Sequence, residues 1–181
     1  MADWNNDDLT LYHGCTDESL QPTLRSGIAI GALPTGIDLS ACSRRAEFGQ
    51  GFYATTWFDQ AKFWANHRVK KLRSRSRPIA AKAIVLRFDV HRDHLAGLDA
   101  LVFTNEKGSF WPFVRYCRAG NPPHRRMTAS STRYDIVYGP VSLWAAEMII
   151  KDADQVSFHT PQALKIIPAL QIVATGNPEI M

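Results

Sequence analysis

The sequence is short of cysteine, of long apolar runs and of excess acid, and each shortage removes a class of protein. Cys15, Cys42 and Cys117 are an odd, widely spaced set with no C-x-x-C pair in 181 residues. That argues against a disulfide framework or a zinc knuckle and fits a reducing compartment. No apolar stretch approaches the roughly 20 residues a spanning helix needs, and the opening MADWNNDDL is too polar and acidic for a secretory signal. There is no internal repeat and no long linker. In HRDH (91–94), His91 and His94 lack a visible third ligand, so no metal is expected. These absences predict a cytoplasmic chain without membrane association. The 181 residues are expected to form one domain, 1–181, long enough to bury one sizeable core. Its 21 Lys and Arg against 17 Asp and Glu leave a net charge of +4, which permits an anionic partner without requiring one.

What is present is a mixture of short strands and helices. LTLYHG (9–14) alternates apolar and polar residues and stops at glycine, predicting a strand that ends at a site. TDESLQPTLRSG (16–27) predicts a short helix capped by Thr16 or Asp17, disturbed at Pro22 and stopped at Gly27; 31–46 is small-residue rich and predicts a loop. GFYATT predicts a second strand. Thr56 then caps a helix with Asp59 at the capping-box position, its apolar face formed by Trp57, Ala61, Trp64, Ala65 and Leu72, ending by Pro78. Strands follow at 80–90, with Ile84, Leu86, Phe88 and Val90 on one face, and at 100–104. A short helix over 109–120 stops at Gly120, and 133–141 predicts a strand broken by Gly139 and Pro140. VSFHT predicts a short strand, Thr160 and Pro161 open a helix, and 169–175 closes the set. Neither regular βαβ alternation nor an all-β pattern results, so the fold class is α+β.

Three places could carry chemistry. His13 ends a strand beside Gly14, which lets a ligand approach the backbone. In Gly51-Phe52-Tyr53, alternation sends Phe52 to one face and Gly51 with Tyr53 to the other, opening a cleft beside the tyrosine. In DADQVSFHT (152–160), Gln155 and Ser157 share a face opposite Val156 and Phe158. The basic runs HRVKKLRSRSR (67–77) and HRRM (124–127) either track a nucleic-acid backbone or sit solvated, the first complementing a helix C-terminus.

Taken together, LYHGC, EFGQGFYATT, DQAKFWA, YDIVYGPV and DQVSFHTPQAL, in this order from residue 11 to about 166, resemble the ADP-ribosyltransferase superfamily, specifically its His-Tyr-Glu branch. They look most like a bacterial group of small transferase-like domains carrying the same blocks. The resemblance implies two small, mostly antiparallel sheets around an NAD cleft, flanked by helices. It implies that His13 bonds the adenosine ribose, that Gly14 offers backbone groups to the nicotinamide carboxamide, and that Tyr53 stacks on the nicotinamide ring. A flat ring suits an aromatic face and an amide suits a backbone donor and acceptor. Arg44 or Arg45, in the loop before the tyrosine strand, is a candidate for the pyrophosphate.

At the third position this sequence departs from the superfamily. Where a glutamate normally opposes the developing ribosyl cation, the matching residue is Gln155. An amide accepts a ribose hydroxyl but brings no charge, and preorganised groups of this kind are worth about 2.7–4 kcal/mol each. Glu47 and Glu147 are the candidates to supply a carboxylate from elsewhere. The expected activity is mono-ADP-ribosyl transfer from NAD to a protein or nucleic-acid acceptor, in the manner of a bacterial toxin or defence effector with a neutralising antitoxin. A NAD glycohydrolase and a catalytically silent nucleotide-binding or nucleic-acid-binding module are the rivals.

Overall fold

The computed structural model describes residues 6–20, 36–74, 81–121, 124 and 133–181. The expectations placed on Pro22, Gly27, residues 31–35, Pro78 and the basic residues 75–77 and 125–127 lie outside them. Along the chain come β1 (Leu9–Thr16), β2 (Phe52–Ala54), α1 (Phe58–Arg73), β3 (Ala83–Val90), α2 (Arg92–Ala96), β4 (Ala100–Val102), α3 (Phe110–Arg118), β5 (Ile136–Leu143), β6 (Met148–Phe158), α4 (Pro161–Leu164) and β7 (Gln171–Thr175). Short 3-10 turns lie at Asp17–Leu20, Leu39–Ala41 and Trp144–Ala146. The helix expected to begin at Thr16 or Asp17 is, within the described residues, only the first of these turns.

The strands form two sheets, ordered β1-β3-β7 and β2-β6-β5-β4. Every pair is antiparallel except β4 with β5. The sheets face each other across one apolar cluster. Leu11 and Cys15 of β1 and Ile84, Leu86, Phe88 and Val90 of β3 meet Phe52, Ile136, Val156 and Phe158 of the other sheet. On the outer side of the first sheet, Ala61, Ala65 and Val69 of α1 cover Ala83 and Val85. Outside the second, Phe110 and Val114 of α3 cover Phe48, Phe103 and Val137. The described residues therefore stack as helix, sheet, sheet, helix, an α+β arrangement with antiparallel pairing dominant.

Four local expectations are corrected. The start of α1 is not capped by Thr56: Trp57 is the N-cap residue and makes no side-chain cap bond. Asp154 of β6 instead accepts from Thr55 Oγ1 (2.8 Å), Thr56 N (3.0 Å) and Thr56 Oγ1 (2.6 Å), tying the start of the helix to the second sheet. The buried stripe of α1 is Ala61, Ala65 and Val69, while Trp57 and Trp64 are 50% and 40% exposed. Bulky rings are excluded because β1 lies too close: a Cβ on Gly14 would stand 2.0 Å from the Ala61 carbonyl oxygen. Finally, Gly139 and Pro140 do not end β5, although its pairing with β6 shifts register between Pro140 and Ser142. The β4 ladder ends at the Val102–Tyr138 pair, so proline sits where that edge needs no ladder donor. Gly139 keeps room for Phe48 and Phe103, which a Cβ would approach to 3.0 and 3.1 Å. β6 is also far longer than the VSFHT segment, at 11 residues.

Candidate functional site

The site begins where the two sheets part. Tyr12 and Thr55 exchange both backbone hydrogen bonds, at 2.8 and 2.9 Å, and join β1 to β2 at a single bridge. Beyond it the strands diverge. Alternation sends the backbone groups of Tyr53 to the same edge as those of Thr55, facing β1. There the Tyr53 carbonyl accepts from His13 Nδ1 at 2.5 Å. A carbonyl only accepts, so the Nδ1 atom carries the proton and Nε2 is left as an acceptor. His13 packs on Phe52 with ring centroids 4.6 Å apart. Burial, reinforced by the positive charge of Arg68, lowers its pKa to about 4, so the ring is neutral at physiological pH. By the same alternation, Gly14 turns its N–H and C=O to the edge used by Tyr12, away from β3.

A cavity of about 600 Å³ opens between the diverging strands, within the size range of small-molecule sites. His13, Gly14, Arg45, Tyr53 and Gln155 all line it. Gly14 does so with its backbone only, because its Cα hydrogens face α1, and the sequence signal at this glycine is one of helix packing. Gly51 needs the same correction. Its backbone lines the cavity beside Tyr53, but the room left by its missing side chain is taken by His159, whose Nδ1 a Cβ would meet at 2.7 Å. Phe52 does face the core, as alternation required. Tyr53 lies on the opposite face, its hydroxyl donating to the Gly49 carbonyl at 2.7 Å and accepting from Phe48 N–H at 2.8 Å. Burial holds its pKa well above the ordinary phenol value, so the ring is a neutral, fixed surface.

Gln155 is 8% exposed and donates from Nε2 to the Pro140 carbonyl at 3.1 Å. Beside it in the same cavity stands Glu47, 5% exposed. Burial raises the Glu47 pKa, and the rise is opposed by the side chains of Ser142 and Gln155 and by the charge of Arg118. Arg118 Nη2 reaches Glu47 Oε2 at 3.4 Å, and its guanidinium also lies 5.8 Å from the Trp144 ring centroid. Three buried polar atoms here lack a partner of good geometry: Glu47 Oε1, Arg118 Nε and Ser142 Oγ. Buried polar groups in native proteins are normally satisfied. These three atoms are themselves buried, so they form a polar cluster behind the cavity wall, with Glu47, Arg118 and Ser142 reaching the cavity by other atoms.

Other candidates fall elsewhere. Arg44 lines a separate cavity of about 340 Å³, together with Arg133, His124 and His159. Glu147 is exposed on the β5–β6 turn and pairs with Arg115 at 2.6 Å, so it is not among the lining residues. His91 and His94 are neighbours, with ring centroids 5.3 Å apart, and no group of three metal-ligating side chains occurs among the described residues. The thiols of Cys15 and Cys117 are pushed up to about 12 by burial, which leaves neither as a thiolate nucleophile. Of the basic runs, His124 is buried against His159, while residues 67–74 extend along α1. No described helix is long and apolar enough to cross a membrane. Arg68 is legible only as part of the basic run 67–77, and Arg118 and Ser142 carry no motif; the one sequence signal for those two is charge or hydroxyl set inside otherwise apolar segments.

The profile of a family described as "Protein of unknown function (DUF3990)" matches residues 34–147, a span that includes Glu47, Tyr53, Arg118 and Ser142 and stops short of β6. No curated protein and no solved structure matches the chain.

Proposed function

Because the chain belongs to the family described as Protein of unknown function (DUF3990), a description that names no chemistry, we propose a function from the cavity: transfer of ADP-ribose from NAD to a macromolecular acceptor on an ADP-ribosyltransferase-like fold. The observation that carries this reading is the shared cavity. A neutral imidazole, a fixed phenol ring, a strand-edge glycine and a carboxamide, far apart in sequence, all line it beside a buried carboxylate.

In this reading, Nε2 of His13 accepts from an adenosine ribose hydroxyl, and the free backbone edge of Gly14 pairs with the nicotinamide carboxamide. Tyr53 stacks on the nicotinamide ring, and Arg45 meets the pyrophosphate. Gln155 orients the reacting ribose. The missing charge comes from Glu47, delivered by the loop before β2 instead of by β6. As the bond from ribose C1′ to the nicotinamide nitrogen breaks, its electron pair neutralises the ring, and positive charge gathers on the ribosyl group. The Glu47 carboxylate opposes that charge in a water-poor site, where a preorganised group is most effective. The acceptor nucleophile bonds to C1′ and releases a proton, so NAD+ and acceptor–H give ADP-ribosyl acceptor, nicotinamide and H+.

The test is incubation of folded protein with NAD carrying label in its adenylate half, in a lysate, reading free nicotinamide and label on macromolecules. Both are expected. Free ADP-ribose without labelled acceptor would assign the site to hydrolysis. Thermal stabilisation by NAD that stays intact would assign it to binding alone.

A further inference from the structure

Helix α1 carries more than its buried stripe. Ala61, Ala65 and Val69 face the sheet, and one row round the helix Gln60, Trp64 and Arg68, spaced four apart, line the cavity. The next row outward holds Phe63, His67 and Lys71. Phe63 is 62% exposed. Its ring lies 6.1 Å from that of His67, nearly parallel at 17°, and 5.7 Å from Trp64, which stands 5.8 Å from His67. Three rings thus touch one another in solvent at the lip of the cavity, where packing does not require them. A contiguous exposed aromatic patch marks an interaction site.

The charge around these rings narrows the partner. The only acid in α1 is Asp59, in its first turn, against Lys62, Arg68, Lys70, Lys71 and Arg73. Of these, Lys70 is engaged with Glu179 at 3.1 Å. Aromatic faces interleaved with cations are the combination that holds single-stranded nucleic acid, bases stacking on the rings and phosphates meeting the cations. A duplex hides its base faces, and the carboxylates of an acidic peptide would meet the cations but leave the faces of Phe63 and Trp64 unmatched.

We propose that this face of α1 binds single-stranded nucleic acid and leads it to the cavity as the ADP-ribose acceptor. The binding stands on the helix face alone; the role as acceptor rests on the transferase reading. The experiment is fluorescence anisotropy of the full chain with labelled twelve-residue oligothymidylate and oligouridylate, titrated at several salt concentrations. The expected result is salt-dependent binding to single strands that exceeds binding to a duplex of equal length. The Phe63→Ala/His67→Ala variant, which removes two exposed rings that do not line the cavity, should weaken it by about ten-fold or more. Lys71→Gln/Arg73→Gln should lower the log–log salt slope by about 1 to 2. Circular dichroism and the NAD-induced thermal shift report that each variant is folded with its cavity intact. Absent oligonucleotide binding, equal duplex binding, or binding indifferent to loss of both rings would overturn the proposal. So would labelling confined to protein in the lysate, which would assign the face to a protein partner. Oligonucleotide binding without NAD cleavage would leave the platform standing and defeat only the transferase reading.

Discussion

Replacing Glu47 by Gln separates a functional carboxylate from a structural one. Its attraction to Arg118 at 3.4 Å is about 5 kcal/mol at an effective dielectric constant of about 20. Taking each ion out of water costs several kcal/mol. The raised pKa of Glu47 says which effect wins: burial disfavours the charge more than its neighbours favour it. With the folded value above the unfolded one, the contribution of this group to stability is full below the unfolded pKa and is lost as pH rises through the folded pKa, by about 1.4 kcal/mol per unit of elevation. Glu47→Gln keeps the shape and removes the charge. Chemical denaturation at pH 7 should therefore find the variant within about 1 kcal/mol of the parent, or above it, with the difference moving in its favour as pH rises. Arg118→Gln, which strands the carboxylate, should cost more, about 1–3 kcal/mol. Nicotinamide release by Glu47→Gln should fall by about 100- to 1,000-fold. A variant that loses several kcal/mol of stability yet releases nicotinamide at the parental rate would refute the reasoning and make Glu47 a structural residue.

Further predictions test the frame around the cavity. His13, His124 and His159 have pKa values lowered to about 4, 4 and 3, chiefly by burial. Depressed values mean that the unfolded chain takes up protons first, so stability is full above about pH 6.5 and is lost as pH falls toward 4; with three such groups the slope approaches about 4 kcal/mol per pH unit near pH 5, measurable as a steep fall in Tm. A flat Tm across that window would contradict the burial of these rings. Gly14→Ala puts a Cβ 2.0 Å from the Ala61 carbonyl oxygen, and displacing α1 should destabilise by about 3 kcal/mol or more in urea unfolding. Tyr53→Phe removes a hydroxyl bonded at 2.7 and 2.8 Å and should cost about 1–3 kcal/mol while retaining the NAD-induced thermal shift. Tyr53→Ala should lose that shift.

The sequence made some of this legible where one physical cause dominated. The alternation of Ile84, Leu86, Phe88 and Val90 predicts a buried strand face because all four enter the cluster between the sheets. Thr160 and Pro161 predict a helix start, and the Thr160 hydroxyl does accept from Ala163 N–H. Reading failed where a neighbour decided the outcome. Trp57 and Trp64 fit a helical apolar period, yet the close approach of β1 leaves room only for the smaller Ala61, Ala65 and Val69. Gly139 and Pro140 look like a break until the short β4 leaves their edge free. Gly51 looks like a gap for a ligand, but His159, more than 100 residues away in the chain, fills it. In the cavity wall, Glu47 lies in a loop with no periodicity. Its pairing with Arg118 and its contact with Gln155 and Ser142 depend on four segments meeting in space, which no local pattern encodes.

The account rests on a dinucleotide being consumed in the cavity between β1 and β2. Free nicotinamide measured by chromatography after incubating the folded protein with NAD, alongside the Glu47→Gln variant, tests this most directly. The account predicts nicotinamide from the parent and a loss of 100-fold or more in the variant. Intact NAD after prolonged incubation with lysate and oligonucleotide present, and no rise in Tm on adding NAD, would contradict it.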